Sequence, residues 1–270
     1  MKSKHLRARI TNLKVTAPLL GIFLACISFF AFACHEKDYS PKKYMGLKGK
    51  IASIRDSAYN CTLRGFYPGS GELSEVQTID FDTEGNAIRI AKCNADSSYV
   101  VMTEYVYRDN ALFSSNQRVR VGEDAFTNTS ERISIENDTL KYKESNGTQQ
   151  WIREVKTTGK YHLERTKGEY GYSKEEAWAD NNNNIIKTRY MLVSNELDFS
   201  NGTNTLEKIS TTKFDKNGEI TETVYIENND TAVTVYSYHL YDKYGNWTEE
   251  RSETNGYFKQ LKKRTIKYVE

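Results

Sequence analysis

The chain has 270 residues and a formal net charge of +2, from 38 Lys and Arg residues against 36 Asp and Glu residues. Five of the basic residues lie within the first 14 positions, so the part of the chain that follows the leader is net acidic, at −3. No basic stretch with interleaved aromatic residues remains that would neutralise the phosphates of a nucleic acid, which argues against a nucleic acid as partner. The 236 residues after Cys34 are enough for one large all-β domain or two small ones.

The first 33 residues have the anatomy of an export signal. Basic residues at positions 2, 4, 7, 9 and 14 precede an uncharged run from Val15 to Ala33, and Cys34 follows directly. A basic start, an apolar centre and a small-residue end are the order of a secretory signal peptide. We predict cleavage before Cys34 and acylation of that cysteine. Residues 1–33 are then a lipoprotein-type signal peptide, and 34–43 are a polar tether.

Two other interpretations of this leader stay open. Ala33 and Cys34 resemble the end of a lipobox, but Ala31 stands where Leu is usual and Phe32 is bulky. Ala31 and Ala33 also fit the A-x-A site of ordinary secretion, and the 19-residue apolar run is long enough to stay uncleaved as a membrane anchor. All three interpretations export the domain that follows. We expect it to be lipid-anchored to the outer membrane of the cell envelope, facing the periplasm or the cell surface.

Four turn motifs divide the rest of the chain. Each has an aromatic residue, Asp, two variable residues, Gly and Asn, with variants, and the copies begin at Phe81, Ala179, Phe214 and Tyr241. In such a turn Asp accepts hydrogen bonds from the backbone that follows, and Gly or Asn takes the positive φ that closes a hairpin. The predicted structural turn residues are Asp82, Gly85, Asn86, Asp180, Asn183, Asp215, Gly218, Asp242, Gly245 and Asn246.

The spacing of these turns indicates a β-meander. Asp215 and Asp242 are 27 residues apart, which leaves room for two strands of about ten residues and two short turns. Asn228 lies near the midpoint, where the second turn is expected. Between residues 119 and 174 the rhythm is weaker. We predict an all-β fold, a long curved antiparallel β-meander of about 14 strands over 44–270, with scope to roll toward a half-barrel or shell.

The aromatic-Asp-x-x-Gly-Asn turns resemble the YD repeats of RHS-type proteins and the repeat-bearing lipoproteins of Gram-negative bacteria. The resemblance is clearest from Phe214 to the C-terminus and around Leu47 to Ile90. It implies a curved antiparallel sheet that rolls toward a shell or barrel. It brings no catalytic residues, because these turns are architectural. The chain is shorter than a full RHS shell and lacks its tandem repetition.

The sequence contains no recognisable catalytic, metal or cofactor motif. His162 and His239 are the only histidines beyond the tether, and neither has metal-ligand spacing to a Cys or another His. We therefore predict no cofactor, no metal and no enzymatic activity. A glycan hydrolase is kept as an alternative because carboxylates are plentiful. It would need two of them facing each other across a cleft at about 5–9.5 Å.

We expect the domain to bind or scaffold a glycan, a lipid or an envelope protein. Aromatic side chains could line a concave face that carries a lipid or glycan, but cross-strand packing explains the same rings with fewer assumptions. The candidate ligand-face aromatics are Tyr99, Tyr105, Tyr107, Trp151, Trp178 and Trp247.

Three tripeptides resemble the Asp-Ser/Thr-apolar O-glycosylation acceptors of some bacteria. Their hydroxyl residues are Ser57, Thr139 and Thr231. Because Asp, Ser and Thr are common in this chain, chance alone would supply about one such tripeptide.

Overall fold

The computed structural model describes residues 47–60, 71–108, 111–168, 171–193, 206–227 and 230–269. The predicted leader and tether, with Cys34, lie outside the described residues. The first eight strands are β1 (Ile51–Asn60), β2 (Glu72–Phe81), β3 (Ala87–Asn94), β4 (Tyr99–Arg108), β5 (Ala111–Val121), β6 (Asp124–Glu136), β7 (Thr139–Ser145) and β8 (Gln150–Thr158). The remaining strands are β9 (Tyr161–Gly168), β10 (Gly171–Ala179), β11 (Ile185–Val193), β12 (Leu206–Phe214), β13 (Ile220–Glu227), β14 (Asp230–Tyr241), β15 (Trp247–Thr254) and β16 (Tyr257–Tyr268).

The strands form one closed antiparallel barrel in which each strand pairs with its neighbours in sequence. The last strand returns to the first, because β16 pairs with β1 and places Asp56 directly opposite Arg264. Each strand therefore has a partner on both sides, and closure removes the exposed edges that an open sheet would have. The predicted all-β antiparallel meander is confirmed.

The strand number and the degree of closure differ from the prediction. The described residues form 16 strands, not about 14, and the sheet closes fully, whereas the sequence indicated rolling toward a half-barrel or shell only as one possibility. One turn that the sequence did not reveal is at Gly122, whose φ of 61° reverses the chain between β5 and β6 without an Asp or Asn at either turn position. Closure joins Asp56 to Arg264, which are 208 positions apart, so no local pattern encodes it.

The four Asp turns each connect an even-numbered strand to the next strand, so they lie at one end of the barrel. In the first turn, Asp82 Oδ1 accepts the backbone N–H of Glu84 at 2.9 Å and of Asn86 at 2.8 Å, and Gly85 has a φ of 89°. Asn183 takes the left-handed φ of 64° in the copy that lacks glycine. The same pair of backbone bonds is made by Asp180, Asp215 and Asp242.

Cross-strand partners show which face of the wall each residue occupies, because directly opposite residues in an antiparallel pair share a face. Ile54, Ile79 and Ile90 are successive partners across β1, β2 and β3, and all three are buried. Since a closed barrel shields its interior, theirs is the inward face. Residues one position away along each strand lie on the outward face.

Two apolar clusters lie on the inward face at the end of the barrel that carries the Asp turns. Tyr105 packs against both clusters and so connects them. Burying each large apolar side chain contributes about 1.5–3 kcal/mol relative to leaving it exposed. The first cluster contains Leu47, Ile51, Ile54, Ile79, Phe81, Ala87 and Ile90, and the second contains Leu112, Leu140, Tyr142 and Val155.

A group of hydrogen bonds around Asn246, here called the Asn246 clasp, fastens the chain entering β1 to the barrel. Lys48 N–H donates to Asn246 Oδ1 at 2.7 Å, and Asn246 Nδ2 donates to Lys48 O at 2.9 Å and to Tyr268 Oη at 2.8 Å. Tyr268 donates in turn to Asp242. The clasp therefore ties the turn between β14 and β15 to both closing strands.

We expect the substitution Asp56→Ala to destabilise the barrel strongly. Asp56 accepts two hydrogen bonds of 2.7 Å from Arg264, and the two side chains are only 10% and 4% exposed. Removing one partner of a buried pair leaves an uncompensated charge and costs about 3–5 kcal/mol. The measurement is the free energy of unfolding in urea, followed by tryptophan fluorescence.

The matched control is Asp80→Ala, which removes an ion pair of the same type from the outward face. Asp80 and Arg89 are also 2.7 Å apart, but their side chains are 23% and 53% exposed. Such a pair contributes about 0.2–1 kcal/mol. Equal losses of stability in the two variants would show that the Asp56–Arg264 pair has no special part in closure.

Candidate functional site

Much of the inward face beyond the apolar clusters is polar and buried. Charged side chains are rarely buried unless they are paired, because removing them from water is costly. The partners of these charged side chains therefore determine whether the inward face can bind a ligand or carry out chemistry. The buried charged residues on the inward face are Asp56, Glu144, Arg153, Glu164, Glu175, Glu250 and Arg264.

Arg153 is the centre of one buried group, here called the Arg153 network, which consists of Ser130, Tyr142, Glu144, Trp151, Arg153 and Glu164. Arg153 Nε donates to Glu144 Oε1 at 2.5 Å, and Nη1 donates to Glu164 Oε2 at 3.2 Å. Its Nη2 donates to Ser130 Oγ at 3.3 Å. The four side chains come from four consecutive strands, β6 to β9, so the network holds this part of the wall together.

Two aromatic rings complete the Arg153 network. The Arg153 guanidinium lies 4.5 Å from the centroid of the Tyr142 ring, which is within cation–π range. Trp151 Nε1 donates to Glu144 Oε2 at 2.5 Å. Arg153 is 2% exposed. Its Nε, Nη1 and Nη2 atoms each donate a hydrogen bond to another member of the network.

Two carboxylates share one guanidinium in the Arg153 network. Burial raises the pKa of Glu164, and Glu144 raises it further, although Arg153 partly offsets both effects. Burial disfavours the charge of Arg153, but the attraction of Glu144 and Glu164 is stronger and raises the pKa of the guanidinium. Glu175 lies directly opposite Glu164 on β10, which adds another carboxyl to this side of the barrel. A carboxyl with a perturbed pKa inside a protein is a candidate functional group.

A second buried group surrounds the closing ion pair. The Arg264 guanidinium lies 3.5 Å from the centroid of the Trp247 ring, and the same ring is 5.5 Å from that of Tyr238. Lys262 Nζ donates to Glu250 Oε1 at 2.9 Å on the neighbouring strand. Stacking on Trp247 and the two bonds to Asp56 hold Arg264 in one orientation, as the planar guanidinium favours.

Five of the six candidate ligand-face aromatics face inward and one faces outward. Tyr105 and Tyr107 pack against the apolar clusters, and Tyr99 is on the same face of β4. Trp178 lies outward, where its ring is 5.6 Å from the Tyr161 ring and 5.1 Å from Lys187 Nζ. Trp151 and Trp247 belong to the two buried ion groups described above. The six rings therefore do not form one surface.

Three of the buried carboxylates that could serve a glycan hydrolase bond other side chains of the barrel. Glu144 and Glu164 both bond Arg153, as its counter-ions. Glu175 and Glu176 point to opposite faces, and Glu176 accepts a 2.6 Å bond from Tyr161 Oη on the outward side. Within the described ranges, no group of three or more His, Cys, Asp or Glu residues is placed to hold a metal ion.

The remaining sequence-predicted residues are dispersed. Ser57 lies on the outward face of β1 and is partly buried, Thr139 begins β7, and Thr231 is exposed at the start of β14. His162 is buried on the inward face, and His239 is exposed. The described residues include no helix with the length and apolar character to cross a membrane.

The outward face carries ion pairs around the circumference of the barrel. Each pairs a Lys or Arg with an Asp or Glu at 2.5–3.7 Å. Exposed apolar residues such as Val106 and Val235 are interspersed among these charges. The wall is thus charged on its outer surface as well as inside. The pairs are Arg89–Asp80, Arg118–Glu104, Lys141–Glu154, Arg189–Glu207, Lys213–Glu222 and Arg251–Glu249.

Sequence reasoning missed the two buried ion groups, although a signal was present. On β8, Arg153 has the same side-chain direction as Trp151 and Val155, two positions to either side. On β7, Glu144 likewise shares a face with Leu140. A basic residue and an acidic residue, each within a series of apolar residues on one face of neighbouring strands, could have indicated a buried ion pair. Adjacent strands in a meander face the same interior.

No family model matches the chain, and no curated protein matches it. Among solved structures, it is similar to a porin-like protein from Bacteroides vulgatus ATCC 8482, with 10% identity and a TM-score of 0.40 over 82% of this chain and 99% of that chain. It is also similar to a porin-like protein from Bacteroides uniformis ATCC 8492, with 10% identity and a TM-score of 0.31 over 80% of this chain and 98% of that chain.

We expect the substitution Glu164→Gln to alter the pH dependence of stability. A carboxyl whose pKa is raised by folding contributes stability that is fully present below its unfolded pKa and is lost as the pH rises through the folded pKa. The wild-type protein should therefore lose this contribution as the pH rises above 4.5, whereas the variant should not. The measurement is the free energy of unfolding in urea between about pH 4 and pH 8.

Glu136→Gln is the control of opposite sign. Glu136 is exposed on β6, and its hydrogen bond to Lys141, with the charge of that residue, lowers the pKa of its carboxyl. Its contribution is present above the unfolded pKa and is lost as the pH falls. If both substitutions changed the pH dependence in the same direction, the inference that folding raises the pKa of Glu164 would be contradicted.

Proposed function

We propose that this chain is an exported, envelope-anchored lipoprotein that presents a non-catalytic β-barrel as a binding or scaffolding module. A lipid on Cys34 holds the barrel at the outer membrane through the tether of residues 34–43. The observation that carries this proposal is the export leader that ends at Cys34, directly before a polar segment. The resemblance to repeat-bearing Gram-negative lipoproteins supports the same location.

The charged outer wall supports an anchor outside the barrel. A barrel that spans a bilayer presents an outward apolar band about 25 Å tall, and a Lys or Arg at its middle costs about 2–4 kcal/mol. Here the outward ion pairs are spread from β2 to β15 and include Glu104, Glu154 and Arg189, each of which lies near the middle of its strand. Such a wall is stable in water, so attachment to a membrane would fall to the N-terminal lipid.

The state of the inward face supports a non-catalytic module. Glu144 and Glu164 both accept hydrogen bonds from Arg153, and Trp151 and Trp247 bond or stack on the buried ion groups. Side chains committed to one another are poorly suited to acid–base chemistry or to a lipid carrier site. The hydrolase and the carrier therefore rank below the binding module.

Replacing Cys34 by Ser should abolish acylation of the protein. The thiol of Cys34 is the proposed site of acylation, so the variant should lose incorporation of labelled palmitate. Cleavage at the A-x-A site of Ala31 and Ala33 would move the variant to the soluble fraction, whereas an uncleaved leader would keep it at the membrane without the label. Cys93→Ser is the matched control, because Cys93 is a free thiol on β3 within the barrel. That variant should keep both the label and the membrane attachment. A Cys34→Ser protein that stays membrane-bound and labelled would contradict the anchor.

A chain that begins at His35, expressed without the leader, should fold in aqueous buffer without detergent or lipid. The physical reason is the charged outer wall, which is hydrated in water. Circular dichroism should show β-structure, and urea unfolding should be cooperative and reversible. A chain that folds only when detergent or lipid is present would show instead that the wall lies within a bilayer.

A further inference from the structure

The outward wall of β4 to β8 contains a cavity of about 700 Å³. Its lining comes mainly from outward-facing residues, so the wall is concave here on its outer surface. Directly opposite partners form a row across the five strands, and this row lines the cavity. The members of this first row are Glu104, Asn116, Thr129, Ser145 and Gln150.

A second row runs beside the first and is two residues away from it on each strand. Its members that line the cavity are Val106, Ser114, Glu131 and Lys143, and Ile152 continues the row on β8. Four strand spacings make each row about 19 Å long, and the two rows are about 7 Å apart. The site, here called the outer groove, is therefore elongated and runs across the strands.

Two β-bulges lie next to the second row. In the pairing of β4 with β5 the register shifts after Val106, which leaves Phe113 as the extra residue. In the pairing of β6 with β7 the register shifts after Arg132, which leaves Ile133 as the extra residue. Bulges bend the strand that carries them and are frequent beside functional sites. They account for a local departure from the smooth outer curvature of a barrel.

The chemistry of the outer groove suits a neutral ligand rich in hydroxyl groups. The first row offers carboxamide and hydroxyl groups, which both donate and accept hydrogen bonds, and a carboxylate, which accepts them. The charges of the outer groove are largely balanced, because Glu131 lies opposite Lys143 and the Glu104 carboxylate is 3.7 Å from the Arg118 guanidinium. Asn116 Oδ1 lacks a hydrogen-bond partner among the described residues and is shielded from solvent, so a donor in the groove would reach it only after that side chain rotates.

An extended peptide is a poorer fit to the outer groove. Peptides commonly bind sheets by adding a strand to a free edge, and every strand of this barrel is already paired on both sides. An oligosaccharide needs no such edge, because its hydroxyl groups bond side chains. Exposed Val106 and Ile152, at the two ends of the second row, can cover the C–H faces of sugar rings.

From these observations we infer that the outer groove binds a neutral oligosaccharide laid across β4 to β8. This inference rests on the proposed function as a binding module, and it gives that module a ligand class and a surface. It differs from a carrier site on inward aromatic residues, because the groove is on the opposite face of the wall.

The test is binding of the full-length protein, purified in mild detergent, to an array of neutral oligosaccharides, acidic oligosaccharides and extended peptides. The Thr129→Trp substitution places a large ring at the centre of the first row, and Asn116→Ala removes the amide next to it. Thr211→Trp is the matched control, since Thr211 is an exposed outward residue on β12, away from the groove. Circular dichroism should show that all three variants keep the barrel.

We expect binding to one or more neutral oligosaccharides, abolished by Thr129→Trp, weakened about tenfold by Asn116→Ala and unchanged by Thr211→Trp. Binding to no neutral oligosaccharide, binding only to acidic sugars or peptides, or full binding by Thr129→Trp would overturn the inference. Membrane fractionation tests the proposed lipid anchor independently of sugar binding. A membrane-bound protein without sugar binding counts against the groove, and a released protein that binds sugar counts against the anchor.

Discussion

The pairing of β16 with β1 is the constraint on which the rest of the structure depends. It joins residues 208 positions apart and so carries a large loop-closure cost, which a ladder of nine paired positions and the Asp56–Arg264 pair must offset. Once the ladder forms, the sheet has no free edge, and one face of every strand is enclosed. The polar groups that are buried on the enclosed face must then bond one another, because burial removes them from water.

The buried ion groups follow from that enclosure and favour one register over its neighbours. A slip of one residue between β1 and β16 would turn Asp56 outward and leave Arg264 inside without its partner. A slip between β7 and β8 would do the same to Glu144 and Arg153. Buried ion pairs often add little net stability compared with apolar packing of the same volume. Their effect here is better understood as a penalty on incorrect pairing, in a meander whose strands otherwise look alike.

The local parts of this fold could be predicted from the sequence, and the long-range parts could not. Asp82, Gly85 and their counterparts indicate turns because their bonds join residues two to four positions apart. Gly122 was missed because a lone glycine without a neighbouring Asp or Asn is a weak turn signal. Closure, the Arg153 network and the outer groove depend on which strands become neighbours and which face is enclosed. In a single sequence, the alternation of apolar and polar residues separates the two faces of each strand. It does not show which face the barrel encloses.

The two faces of the wall therefore differ in what they can offer a partner. Inside, enclosure forces polar groups such as Glu164 and Arg153 to bond one another, so recognition of a ligand there would require breaking bonds that hold the barrel together. Outside, water satisfies the polar side chains, and a partner can replace that water without disturbing the ladder. A polar row such as Asn116, Thr129 and Ser145 on the outward face is available at much lower cost. Because the side chains inside the closed barrel stabilise it and fix the strand register, we expect a ligand to be recognised on the outer wall.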